Sequence, residues 1–135
     1  MCIRDRDKAA RMTAAFSPQT SKHPASFSMH MNSLDFVLGP SFEIVIAGDK
    51  NSPGTRQFLD ALSSEYLPNK VVILKDAANE EEISKIAHYT QDHTPLNGKT
   101  AAYVCSNYQC RLPTDDPVRM LELIREGKSF NKVPE

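Results

Sequence analysis

Three short segments, Glu43-Ile-Val-Ile-Ala47, Lys70-Val-Val-Ile-Leu74 and Ala101-Ala-Tyr-Val-Cys105, are apolar at consecutive positions. A strand sends successive side chains to opposite faces, so an unbroken apolar run is stable only where both faces are covered. β-branched residues dominate the first two runs, as suits a pleated surface. The pattern predicts interior strands of one parallel sheet, joined by helices with right-handed crossovers. The helix between the first two runs spans residues 53–66, with Ser52 as its cap and Phe58, Leu59, Leu62 and Tyr66 facing inward. A shorter helix comes next, capped by Asn79, with Glu80, Glu81 and Glu82 at the positive end of its dipole and Ile83, Ile86 and Ala87 inward. Residues 90–99 read as loop. A last helix opens at Asp116-Pro117, turns Met120, Leu121 and Ile124 to the core, and stops at Gly127. The fold class is α/β: a three-stranded, mainly parallel βαβαβ unit with flanking helices.

Ahead of this unit, residues 7–39 carry a helical period. One helix ends near Phe16 before Ser17-Pro18; a second opens at Pro24, repeats Phe27, Met31, Leu34 and Leu38 along one face, and stops at Gly39-Pro40. A helical hairpin of this kind buries one face on itself, and belongs to a larger helical assembly. Met1-Cys-Ile-Arg-Asp-Arg6 has neither the apolar core of a secretory signal nor a period joining it to residue 7 and beyond. It reads as a non-native tail translated from a sequencing adapter in metagenomic reads, and residues 128–135 read as a second tail. The domain order is thus 1–6 tail, 7–39 helical hairpin, 40–127 α/β module, 128–135 tail.

The 135 residues have a formal charge of −1, so nothing draws the chain to nucleic acid or to an anionic membrane. No apolar run approaches the ~20 residues that cross a bilayer. With the adapter-like piece set aside, Cys105 and Cys110 remain, and two thiols without a signal peptide suit a reducing cytoplasm.

In an open parallel sheet, ligands bind along the carboxyl ends of the strands. The loops there carry Asp49, Lys50, Asp76 and Asn107, the candidate strand-end site, with turn formation and solvation as the competing reading. The first loop lacks the glycine patterns that cradle phosphate. Cys105 and Cys110 meet only if the chain turns between them, and a hairpin over Ser106-Asn-Tyr-Gln109 makes them a cross-strand pair. They are the candidate redox pair; packed, reduced cysteines are the plainer reading, and a metal site with His88 or His93 lacks a regular four-ligand spacing. No catalytic residue, metal or cofactor is assigned.

Phe42-Glu-Ile-Val-Ile-Ala-Gly-Asp49, Tyr66-Leu-Pro-Asn-Lys-Val-Val72 and the block from Gly98 through Cys105 and Cys110 to Pro117 resemble, in order and spacing, the C-terminal end of the thioredoxin-domain family that includes spermatogenesis-associated protein 20. The resemblance covers about residues 8–127, and the cysteine block is its most specific part. It implies a thioredoxin-like domain first, then an (α/α)6 toroid similar to N-acylglucosamine 2-epimerases and six-hairpin glycosidases, then a segment like this one. The hairpin would be the toroid's closing helices, and the partner an intramolecular one. The parent's chemistry, redox or carbohydrate-active, would lie outside this segment.

Overall fold

The computed structural model describes residues 3–107 and 109–130. The chain divides between Gly39 and Pro40 into two compact units.

The first unit contains helix α1 (Ile3–Lys22), a 3-10 turn (Pro24–Phe27) and helix α2 (Ser28–Leu38). The expected break at Ser17-Pro18 does not occur, and Pro18 lies inside α1. Proline forfeits one N–H and crowds the carbonyl four residues back, yet the strongly helix-forming run before it carries the helix through. The helix also begins at Ile3, within the residues expected to be a tail; Met1 and Cys2 lie outside the described residues. Gly39 ends α2 in extended conformation, its N–H donating to the Asp35 carbonyl. Of the expected inward face, Phe27 and Leu34 are half-buried, whereas Met31 and Leu38 are exposed.

The second unit is built on strands β1 (Phe42–Ala47), β2 (Lys70–Lys75), β3 (Ala101–Ser106) and β4 (Gln109–Cys110), in the order β2-β1-β3-β4. β1 and β2 are parallel, but β3 runs antiparallel to β1, and β4 antiparallel to β3. The sheet is therefore mixed, correcting the mainly parallel expectation. An apolar run reports that both faces are covered and is silent on direction. Alignment across the sheet is as the runs suggest: Ile44 stands opposite both Val72 and Val104. β2, however, is an edge strand with Val71 and Val72 partly exposed, and not an interior one.

Helices α3 (Pro53–Ser64) and α5 (Pro117–Phe130) supply one core. Phe58 and Leu62 from α3, with Met120, Leu123 and Ile124 from α5, pack on Phe42, Ile44, Ile46, Ala102 and Val104. Ser52 caps α3, accepting from the Thr55 N–H, and Pro53 follows in its first turn. Leu59 is exposed, contrary to expectation, because the buried stripe of α3 is the narrower one through Thr55, Phe58 and Leu62, and Tyr66 is exposed because it lies beyond the helix, which ends at Ser64 and not at residue 66. α5 does not stop at Gly127. That residue is buried within the helix, where a Cβ would stand 2.7 Å from the Phe42 ring. Here glycine serves close approach and not termination.

The other face of the sheet carries Val45, Ala47, Ala101 and Tyr103, with Ile73 and Leu96 packed on them. Helix α4 (Glu80–Ile86) and the segment after it lie between β2 and β3 in the chain. Ile86 is exposed, since this seven-residue helix buries no side chain. Asn79 does not cap it through its side chain; it accepts from the Asp76 N–H and donates to the Leu74 carbonyl, tying the turn back to β2. Leu96 and Lys99 pair around Asn97-Gly98, both at positive φ, a turn that closes the segment into β3.

Candidate functional site

Lys75 ends an apolar strand, and its side chain is only 3% exposed. Its ammonium donates to the carbonyls of Thr90, Gln91 and His93 and lies 3.0 Å from the Glu80 carboxylate. A buried ammonium survives where its donors are met, and here four oxygens surround three protons. The physical effect is to pin residues 90–93, a stretch with little regular structure, against the end of β2.

The pinned segment holds His93 against β3. The His93 ring stacks on Tyr103 at 4.2 Å between centroids, and Tyr89 meets its edge at 6.0 Å. Tyr103 is fixed at its far end, its hydroxyl donating to the Thr94 carbonyl and accepting from the Thr94 N–H. His93 is 8% exposed, and its Nδ1 is buried without a hydrogen-bond partner. Burial, helped by the charge of Lys75, pulls the imidazole below its ordinary pKa of 6.5, against a smaller opposing effect from Asp92. Burial also pushes the Tyr89 phenol up to about 12, with the charge and hydrogen bond of Glu43 adding to it.

Two residues along β3 from Tyr103, on the same face, Cys105 is joined to Cys110 by a disulfide, their Cα atoms 3.9 Å apart. The hairpin is tighter than the four-residue loop expected: Ser106 pairs with Gln109, and Asn107 at φ 49° opens the turn. The Arg111 N–H donates to the Val104 carbonyl, which makes Cys105 and Cys110 the non-hydrogen-bonded pair, where cross-strand side chains stand closest. The two ends differ in access: Cys105 is 2% exposed, whereas Cys110 is exposed. Beyond Arg111, pairing with β3 resumes at Thr114 opposite Ala102. The register has slipped by one residue around Pro113, a bulge where a residue without an N–H is tolerated. A ring nitrogen of His93 and both sulfurs lie within 4.8 Å of one another.

Of the strand-end candidates, Asp49, Lys50 and Asp76 do converge, lining a cleft of about 430 Å³ that also reaches His93. Asn107 does not. Because β3 is antiparallel, its end lies beside the start of β1, across the sheet from that cleft. The carboxylates there serve their own turns: Asp49 accepts from the Asn51 N–H, and Asp76 from the N–H groups of Ala78 and Asn79. Lys75, which also lines the cleft, is committed to protein oxygens, and Asp49 and Asp76 both hold turns. His93 is the residue that spacing arguments undervalued. A charged residue closing the apolar run of β2 was the signal, since such a lysine needs carbonyls folded over it.

No family model and no solved structure matches the chain. Among the described residues, no helix is long and apolar enough to cross a membrane. The chain is similar to spermatogenesis-associated protein 20 of Homo sapiens, with 29% identity over 118 residues, 87% of this chain and 15% of that protein. The Rattus norvegicus and Mus musculus proteins of the same name are each 26% identical over 120 residues, 89% of this chain. The chain thus spans 15% of the length of these relatives, and identities of 26% to 29% over most of it support a relation at the level of that family.

Proposed function

We propose that this segment is a non-catalytic C-terminal module of a longer thioredoxin-domain protein related to spermatogenesis-associated protein 20. Its first two helices complete a six-hairpin, toroid-like helical domain. The supporting observation is the apolar surface those helices present: Met12, Met29, Val37 and Leu38 are each at least 63% exposed, in a unit where Thr20 is the one described side chain that is buried. Such surface marks an interface, here with helices of the same polypeptide. The experiment places Met31→Lys and Leu38→Lys in a full-length family member carrying this segment. Melting temperature is expected to fall by several degrees there, while the same changes in this chain alone leave its melting unaltered. Equal, small effects in both contexts would refute the interface.

A second reading has its own observation. The Cys105–Cys110 disulfide joins a buried sulfur to one on an exposed edge strand, so an incoming thiolate has one accessible target. A reversible disulfide in a reducing cytoplasm predicts a pair that opens and recloses across a graded glutathione potential. Thiols that stay free at oxidising poise would remove it.

A further inference from the structure

The Cys105, Cys110 and His93 donors form the one group of three metal-ligating side chains gathered this closely among the described residues. We propose that the reduced protein binds a thiophilic d10 cation, Zn2+ by its chemistry, through the Cys105 and Cys110 sulfurs and a ring nitrogen of His93, and that disulfide formation abolishes the site. This rests on the reversible-disulfide reading of the pair.

Five observations carry it. Two thiolates and one imidazole are a donor set that zinc favours, at about 2.3 Å to sulfur and 2.0–2.1 Å to nitrogen. Tetrahedral bonds of that length put two sulfurs about 3.8 Å apart, a separation that side-chain rotation alone supplies across a non-hydrogen-bonded pair. The buried, unpartnered Nδ1 of His93 is a polar atom that the fold leaves unexplained. The ring is also held in advance: it lies flat on Tyr103, whose hydroxyl is tied to Thr94, while Lys75 grips the His93 carbonyl. Fixing a ligand's orientation from behind is what outer-shell groups do at metal sites. Finally, Cys110 is exposed, so a cation can enter from the β4 edge, with solvent completing its coordination.

Release follows from thiol chemistry, with a small-molecule disulfide as the oxidant. The Cys110 thiolate attacks one of its sulfurs, expelling the first small thiolate and forming a mixed disulfide. Cys105 then attacks the Cys110 sulfur and expels the second. Two electrons pass from the pair to the oxidant, its two thiolates take protons from solvent, and the cation, left with a single imidazole, dissociates.

The test uses the full chain carrying Cys2→Ser, so that the remaining thiol outside the pair does not compete. Zinc affinity is measured against a chromophoric chelator for the phosphine-reduced and glutathione-disulfide-oxidised forms, and Co2+ replaces Zn2+ for spectroscopy. One zinc per reduced chain is expected, with a thiolate-to-cobalt charge-transfer band. Affinity should fall by at least about tenfold in the oxidised form and in His93→Ala. His93→Gln, which keeps more of the packing, is the second variant should the alanine form misfold. A reduced chain that takes up zinc no more tightly than the oxidised one, or folded His93 variants that bind like the parent, overturns the proposal. Thiol titration of the same samples separates the two readings: a pair that opens and recloses without binding zinc leaves the disulfide reading standing, and a pair that cannot be reduced in the folded chain removes both.

Discussion

Lys75 organises the candidate site through the backbone it holds. Its ammonium donates to three backbone carbonyls beside the sheet, those of Thr90, Gln91 and His93. Lys75→Met keeps the bulk and removes the donors, which is expected to cost about 3 kcal/mol or more in urea denaturation. Hydrogen exchange should quicken across residues 88–96 while β1 stays protected. His93 gives the pH counterpart. Its folded imidazole titrates below 6.5, the value it regains on unfolding, so both states are neutral above that pH. As pH falls through 6.5 the unfolded chain takes the proton first, and stability drops until the folded ring protonates too. Tyr89 works at the other limit: the unfolded phenol ionises near 10 and the folded one near 12, so stability is kept below pH 10 and lost as pH rises from there. The charged groups acting on these rings are Lys75 and Asp92 for His93, and Glu43 for Tyr89. The measurement is stability against pH for the parent, His93→Gln and Tyr89→Phe. Each variant should flatten its own end of the profile and leave the other unchanged.

At the scale of elements, the legible part of the chain is the part that local chemistry decides. Ser52 and Pro53 announce the start of α3, and the apolar runs place Ile44, Val72 and Val104 side by side because each is the centre of its strand. Strand direction is different. Whether β3 enters parallel or antiparallel depends on where residues 76–100 deliver the chain, and no residue within β3 records that. The same applies to the site, where His93 meets Cys105 and Cys110 only because Lys75 folds the intervening segment over Tyr103. Gly127 was legible as glycine but not as to purpose. In a helix, alanine is favoured over glycine by about 1 kcal/mol, so Gly127→Ala on an open face would stabilise. A Cβ there meets Phe42, whose own exposure is 2%, at 2.7 Å, and forcing bulk into a filled core costs roughly 1–3 kcal/mol. The clash should win. Gly127→Ala is expected to lower stability, and adding Phe42→Leu should recover part of the loss beyond additivity in a double-mutant cycle.

At the scale of the whole molecule, the two units differ in how they meet the entropy cost of order. Every residue of the two buried clusters lies between Phe42 and Ile124, so the α/β unit draws its core from within itself. The helical unit buries Thr20 alone among its described side chains, and helices without a packed face are marginal in water whatever their propensity. A chain shortened to residues 40–135 is therefore expected to melt cooperatively, with its sheet protected from hydrogen exchange as in the parent. Residues 3–38 prepared alone should show less helix by circular dichroism than their share of the parent spectrum, and gain it on addition of a helix-favouring alcohol. Should the shortened chain lose its transition while the isolated helices stay fully formed, stability would reside in the helices. Their exposed methionines and leucine would then have to be explained as a self-sufficient surface instead of as half of an interface.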